Sequence, residues 1–121
     1  MGRTVDRVAW ERLLDEPVAA LSPVRPVGGA LVWCTAVLTP MRFLIVDRSR
    51  PHRPPRNPRH CRESIAVEFP RSNLTDIDIT NGRRPLAELR YFDGTEKRIR
   101  FRVRRGSLGL FEQMEQDLVK G

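Results

Sequence analysis

The chain has 121 residues, enough for one ordinary domain and too few for a second core of similar extent. Apolar residues at 40% and charged residues at 31% can build a core and exclude a wholly disordered chain. Twenty-two basic residues against 15 acidic ones give a net charge of +7, and 20 of the 22 are arginine, a cation whose planar fork suits phosphate and carboxylate. A GC-rich genome accounts equally well for arginine over lysine, but not for the net charge. The longest nearly apolar run, Gly28 to Leu38, is far short of the roughly 20 residues a spanning helix needs. Met1-Gly2-Arg3-Thr4-Val5-Asp6 has neither a signal core nor a myristoylation pattern. Two cysteines, Cys34 and Cys61, in unlike settings do not make a disulfide framework. A cytoplasmic protein is expected, and peripheral contact with the inner membrane surface is compatible with the charge.

Thr4 to Leu14 places Val5, Val8, Ala9 and Leu13 at helical spacing, with Thr4 as N-cap and Asp6 in the first turn, and predicts a helix within an N-terminal extension over residues 1–16. Pro17 to Leu21 reads as a brief strand, and Ser22 to Gly29, rich in Pro and Gly, as a loop. Ala30 to Leu38 and Met41 to Asp47 read as a hairpin across Thr39-Pro40. Arg48 to Arg62 holds six arginines, four prolines, both histidines and no acid; it predicts a long, mobile, basic loop without helix or paired strand. Alternation returns at Ser64 to Phe69 and Leu74 to Thr80, and Leu86 to Phe92 with Lys97 to Arg104 forms the clearest hairpin, joined through Asp93-Gly94-Thr95-Glu96. In its second strand Ile99, Phe101 and Val103 face one way and Arg98, Arg100, Arg102 and Arg104 the other. Ser107 then caps a closing amphipathic helix striped by Leu108, Phe111, Met114 and Leu118.

Seven short strands followed by one amphipathic helix is the element order of the pleckstrin-homology (PH) superfold, and two local segments carry the likeness further. Val37-Leu38-Thr39-Pro40-Met41-Arg42-Phe43-Leu44-Ile45-Val46 resembles the LTxxRL hairpin with an apolar continuation of bacterial PH-like and GRAM domains, and Phe69-Pro70-Arg71-Ser72-Asn73-Leu74-Thr75-Asp76-Ile77 is similar to the segment that leads into their fifth strand. The resemblance spans Pro17 to Val119. It implies a mainly β, PH-like β-barrel: seven antiparallel strands in two sheets, with Phe111, Met114 and Leu118 plugging them against Ile45, Val67, Ile79 and Phe101. Another small α+β or barrel domain is the other architecture with this pattern.

Catalytic chemistry finds little support. His52 and His60 have no carboxylate near in sequence, Asp76 and Asp78 are accounted for by cross-strand ion pairs with Arg90 and the last-strand arginines, and no nucleophile or phosphate-loop motif is present. His52, His60 and Cys61 supply zinc-type ligands, but adjacent His60 and Cys61 do not readily share one ion and the arginines oppose a dication. The expectation is a non-enzymatic module without metal or cofactor. Its anion-binding residues are Arg48, Arg50, Arg53, Arg56, Arg59 and Arg62 in the basic loop, with Arg25 beside them at the open end that the PH resemblance implies. The expected partner is an acidic protein or an anionic membrane surface. Nucleic acid, gripped by the loop and the last-strand arginines, is the alternative, and an interaction role through Trp10 on an apolar outer face of the first helix is a third. The sequence does not fix the oligomeric state.

Overall fold

The computed structural model describes residues 7–28 and 32–120 of the single chain. Thr4, Val5 and Asp6 of the expected first helix, and Ala30 and Leu31 of the expected second strand, lie outside the described residues. The elements run α1 (Arg7–Leu14), β1 (Ala20–Pro26), β2 (Cys34–Leu38), β3 (Arg42–Val46), α2 (Pro58–Glu63), β4 (Ile65–Pro70), a 3-10 turn (Arg71–Asn73), β5 (Leu74–Thr80), β6 (Leu86–Asp93), β7 (Thr95–Val103) and α3 (Gly109–Lys120). No helix among the described residues is long and apolar enough to cross a membrane.

All seven strands are antiparallel and hydrogen-bonded in the order β4-β3-β2-β1-β7-β6-β5. They form one sheet rather than two, because Val24 of β1 is in register with both Cys34 of β2 and Val103 of β7 and carries the ladder across. β4 and β5 end the sheet and do not pair with each other, so it is not closed into a barrel. It is nevertheless strongly rolled. β4 and β6 stand five strand spacings apart, about 24 Å in a flat sheet, yet the rings of Phe69 and Tyr91 stack at 4.0 Å. The rolled face encloses the main core, in which Phe43 contacts Phe69, Phe101 and Phe111.

β1 runs through Ser22 to Pro26, where the prolines predicted a loop. Its first part pairs only with β2 and its last part only with β7, so Pro23 and Pro26 each have a flank on which no ladder N–H is required. α3 begins at Gly109, and its first bond runs from the Glu112 N–H to the Leu108 carbonyl, which moves the start one residue beyond the expected Ser107 cap. Phe111 and Met114 are buried and Leu118 packs beside them, in one cluster with Ile45, Val67, Ile79 and Phe101 as expected.

A second core lies on the outer face. β2 and β3 are buried along nearly their whole length because both faces are covered: Ala36, Leu38, Phe43 and Ile45 point into the roll, while Val37, Leu44 and Val46 meet Trp10, Val18 and Cys61. α1 and α2 therefore cover the back of the sheet. Trp10, expected as an exposed contact point, is fully buried there, and its indole N–H donates to the Pro51 carbonyl at 2.9 Å.

Candidate anion-binding site

The basic segment after β3 is built rather than loose, contrary to the sequence expectation. The Asp47 N–H donates to the Ser64 carbonyl at 2.7 Å, and the buried Ser49 hydroxyl donates to the Val46 carbonyl at 2.8 Å and lies 2.9 Å from the Thr35 hydroxyl. Between them Arg48 holds a left-handed conformation (φ 51°), which costs a non-glycine residue roughly 1–2 kcal/mol. Arg50 and Arg53 then exchange backbone bonds at 3.3 and 2.8 Å around Pro51-His52, a tight turn in which proline takes its favoured second place. Asn57 caps α2 by accepting from the His60 N–H at 2.8 Å, and Pro58 occupies the first turn, where its missing donor is not needed. The prolines that argued against a helix thus start one, and the buried Cys61 anchors it to the second core.

These restraints present Arg48, Arg50, Arg53 and Arg56 around a concavity of about 460 Å³, with Trp33 and His60 also on its wall and Asp47 as its one carboxylate. Trp33 links this segment to the sheet: the Arg25 guanidinium lies 5.7 Å and that of Arg104 5.0 Å from its ring centroid, within cation–π reach. Arg25 is in register with Arg102 on β7, a like-charge pair that disfavours association of the two strands unless something offsets it. The indole offsets part of it. Among the described residues, Arg25, Arg48, Arg50, Arg53, Arg56 and Arg104 form no ion pair.

The other two expected site residues are not brought into this group. Arg59 is paired with Glu63 at 3.1 Å along α2, and Arg62 lines a separate concavity between α2 and α1 that includes Arg12 and Leu13. The Asp93–Thr95 turn contributes nothing to the wall. Trp33 was absent from the expected site; its signal was the odd-numbered register of the run before Leu38, which places it on the outer face beside Arg25.

The expected cross-strand ion pairs of Asp76 and Asp78 are not formed. Asp76 Oδ1 accepts from the Ile77 N–H at 2.9 Å, Asp78 stands opposite Glu88, and Glu88 pairs with Arg90 of its own strand at 3.4 Å. Arg98, Arg100 and Arg102 likewise form no ion pair among the described residues, while Arg102 donates to the Arg84 carbonyl at 3.2 Å.

The two thiols are held protonated. Burial pushes the Cys34 thiol up to about 11, assisted by its hydrogen bond to Asp47 at 3.2 Å, and burial also raises that of Cys61. A protonated thiol is a poor nucleophile and a poor metal ligand. His60 faces the concavity and Cys61 the second core, so the three zinc-type side chains of this segment do not converge. No group of three or more His, Cys, Asp or Glu suited to a metal gathers among the described residues. No protein-family model matches the chain, and no curated protein matches it.

Proposed function

We propose that the chain is a non-enzymatic binding module, an adaptor of PH-like or GRAM-like kind, that uses the basic surface around Trp33 to contact an acidic protein partner or anionic lipid headgroups. The PH-like reading is supported by the strand order, by the roll of the sheet and by the helix that follows the last strand and fills the roll. The partner reading rests on one observation: the guanidinium groups of Arg25 and Arg104 lie over Trp33, and Arg48, Arg50, Arg53 and Arg56 line the concavity that Trp33 also lines, with no carboxylate paired to any of the six among the described residues. Like charges placed so close repel one another, and an incoming anion relieves that repulsion. The non-enzymatic reading is supported by the raised thiols and by the exposed setting of His60. The module acts in the cytoplasm, at the inner membrane surface when its partner is lipid.

A specific observation supports nucleic acid as the second reading. The outward arginines of β7 lead from Arg98 to Arg104, and Arg25, Trp33 and the concavity continue from there, an extended basic strip rather than a point site.

Replacing Arg48, Arg50, Arg53 and Arg56 with serine separates the readings. Wild type and variant are compared for sedimentation with phosphatidylserine vesicles, retention on an immobilised polyglutamate column and retention of single-stranded DNA. Loss of vesicle or polyglutamate binding in the variant, with the melting temperature kept, supports the module reading. DNA retention that falls linearly in log affinity with log salt, and falls again when Arg98, Arg100 and Arg102 become serine, supports the second. Three unchanged retentions overturn both.

A further inference from the structure

The turn between β7 and α3 carries a hydroxyl that the fold leaves unused. Ser107 is the expected cap of α3, yet the helix starts beyond it, and its hydroxyl makes no hydrogen bond among the described residues. Only its backbone is engaged: the N–H donates to the Arg104 carbonyl at 2.9 Å, and the carbonyl accepts from the Ser22 hydroxyl at 3.1 Å. Arg104, Arg105 and Gly106 are exposed and Ser107 is half-buried. Of all the serines and threonines in the chain, Ser107 alone has arginine at both the second and the third position before it, and the apolar Leu108 follows. Two guanidinium groups ahead of an acceptor hydroxyl and an apolar side chain behind it form a charge pattern that a kinase with carboxylates in its substrate groove can select. No acid of the chain competes for them in sequence, since none occurs between Glu96 and Glu112. Leu108 is the obstacle, being 6% exposed within the main core. It can leave with the turn by local opening, because Gly106, left-handed at φ 88°, and Gly109 flank the pair as pivots.

We propose that Ser107 is a phosphorylation site for a protein kinase with an acidic substrate groove, and that its phosphate competes from within the chain for the arginines around Trp33. In the transfer the Ser107 oxygen bonds to the γ-phosphorus of ATP as the bond from that phosphorus to its bridging oxygen breaks; ADP leaves, and the hydroxyl proton passes to the catalytic base of the kinase. The product carries a charge of about −1.5 to −2 at pH 7 and three strong acceptor oxygens. Arg104 stands across a hydrogen-bonded turn from Ser107, and its guanidinium lies 5.0 Å from the Trp33 ring centroid. The new dianion therefore meets one of the six unpaired arginines directly and offsets about two of their charges. The competition rests on the anion-binding reading of that surface; the phosphorylation site does not.

The full chain and the free peptide Val-Arg-Arg-Gly-Ser-Leu-Gly are each incubated with magnesium, ATP and the catalytic subunit of cyclic-AMP-dependent protein kinase, an enzyme with such a groove, and phosphate uptake is followed by mass. One phosphate per chain is expected, placed at Ser107 by fragmentation, absent in Ser107→Ala and taken up at least tenfold more slowly in the exposed-site variant Arg105→Gln. Uptake should be slower in the folded chain than in the peptide, because the turn must open, and Ser22→Ala, which removes the bond to the Ser107 carbonyl, should narrow that gap. In the phosphorylated chain the Trp33 indole N–H resonance should shift with no external anion present, and polyglutamate affinity at 50 mM salt should fall at least fivefold. Melting curves confirm that the variants and the phosphorylated chain fold. No phosphate on the folded chain, or phosphate only at other residues, overturns the site. Phosphate at Ser107 that leaves both the Trp33 resonance and the polyglutamate affinity unchanged overturns the competition. Phosphate that shifts the resonance of a chain whose unmodified form binds no polyglutamate refutes the anion-binding reading and supports the phosphorylation site.

Discussion

Replacing Trp10 with phenylalanine tests how the arginine site is held in place. The indole is fully buried in the second core, and its N–H donates to the carbonyl of Pro51 inside the basic turn at 2.9 Å. Phenylalanine keeps a six-membered ring in the same pocket but strands that carbonyl without a donor, which costs about 1–3 kcal/mol, and the space left by the lost ring pushes the cost toward the upper end. At roughly 4 °C per kcal/mol for a chain of this length, the melting temperature should fall by about 4–12 °C. The loss should concentrate in the segment that the bond anchors. Limited trypsin digestion reads this directly at Arg48-Ser49, Arg56-Asn57, Arg59-His60 and Arg62-Glu63, since Arg50 and Arg53 precede proline and resist cleavage. Cleavage there should quicken by about 5- to 150-fold, the same free energy expressed as an opening equilibrium. A melting temperature within about 2 °C of wild type, with no faster cleavage in this segment, would refute the claim that the second core organises the site.

Three further outcomes follow from the packing and the charges. Cys34 holds its proton up to about pH 11 against an ordinary 9.0, so its contribution to stability is complete below pH 9 and is lost as pH rises toward 11; urea titrations across that range should show the decline, less steep in Cys34→Val, and iodoacetamide at pH 8 should label the thiols only after unfolding. Phe43→Ala should cost about 3–5 kcal/mol because three rings lose their contact with it, whereas Phe92→Ala, at a 54% exposed ring, should stay within about 0.5 kcal/mol by the same urea assay. Arg42 bridges Glu16 and Glu68, tying the connection after α1 to β4 from a partly exposed position; Arg42→Met should cost at most about 1 kcal/mol, and the difference should shrink in 1 M salt.

β4, β6, β7 and the closing helix were legible because each obeys one period: Ile99, Phe101 and Val103 alternate with arginines, and Phe111, Met114 and Leu118 share one helical stripe. What escaped was decided by partners distant in sequence. Pro23 and Pro26 argued against a strand, and only the division of β1 between two neighbours makes them tolerable. The Pro and Arg content of residues 48–62 concealed a proline-led turn, held by Trp10 some 40 residues earlier, and a proline-started helix, held by Cys61 in the same core. A sign of that cover stood in the sequence itself. β2 and β3 are continuous apolar runs rather than alternating ones, the mark of strands buried on both faces, and something had to lie behind them. At the site the charge was visible and its focus was not: Arg48, Arg50, Arg53, Arg56 and Arg25 converge, Arg59 and Arg62 turn elsewhere, and Trp33, which links the group, carried no motif.

The anion site is best tested through Trp33 itself. The chain has two tryptophans, so subtracting the emission of Trp33→Phe, which keeps Trp10 and its bond to Pro51, from that of the wild-type protein leaves the ring that Arg25 and Arg104 cover. Phosphatidylserine vesicles or polyglutamate titrated into this protein at 50 mM salt should produce a saturable change in that emission, weakened at least tenfold at 300 mM salt and abolished when Arg48, Arg50, Arg53 and Arg56 are serine. Emission that stays flat with both anions, or that changes equally in the serine variant, would contradict an anion-binding role for this surface.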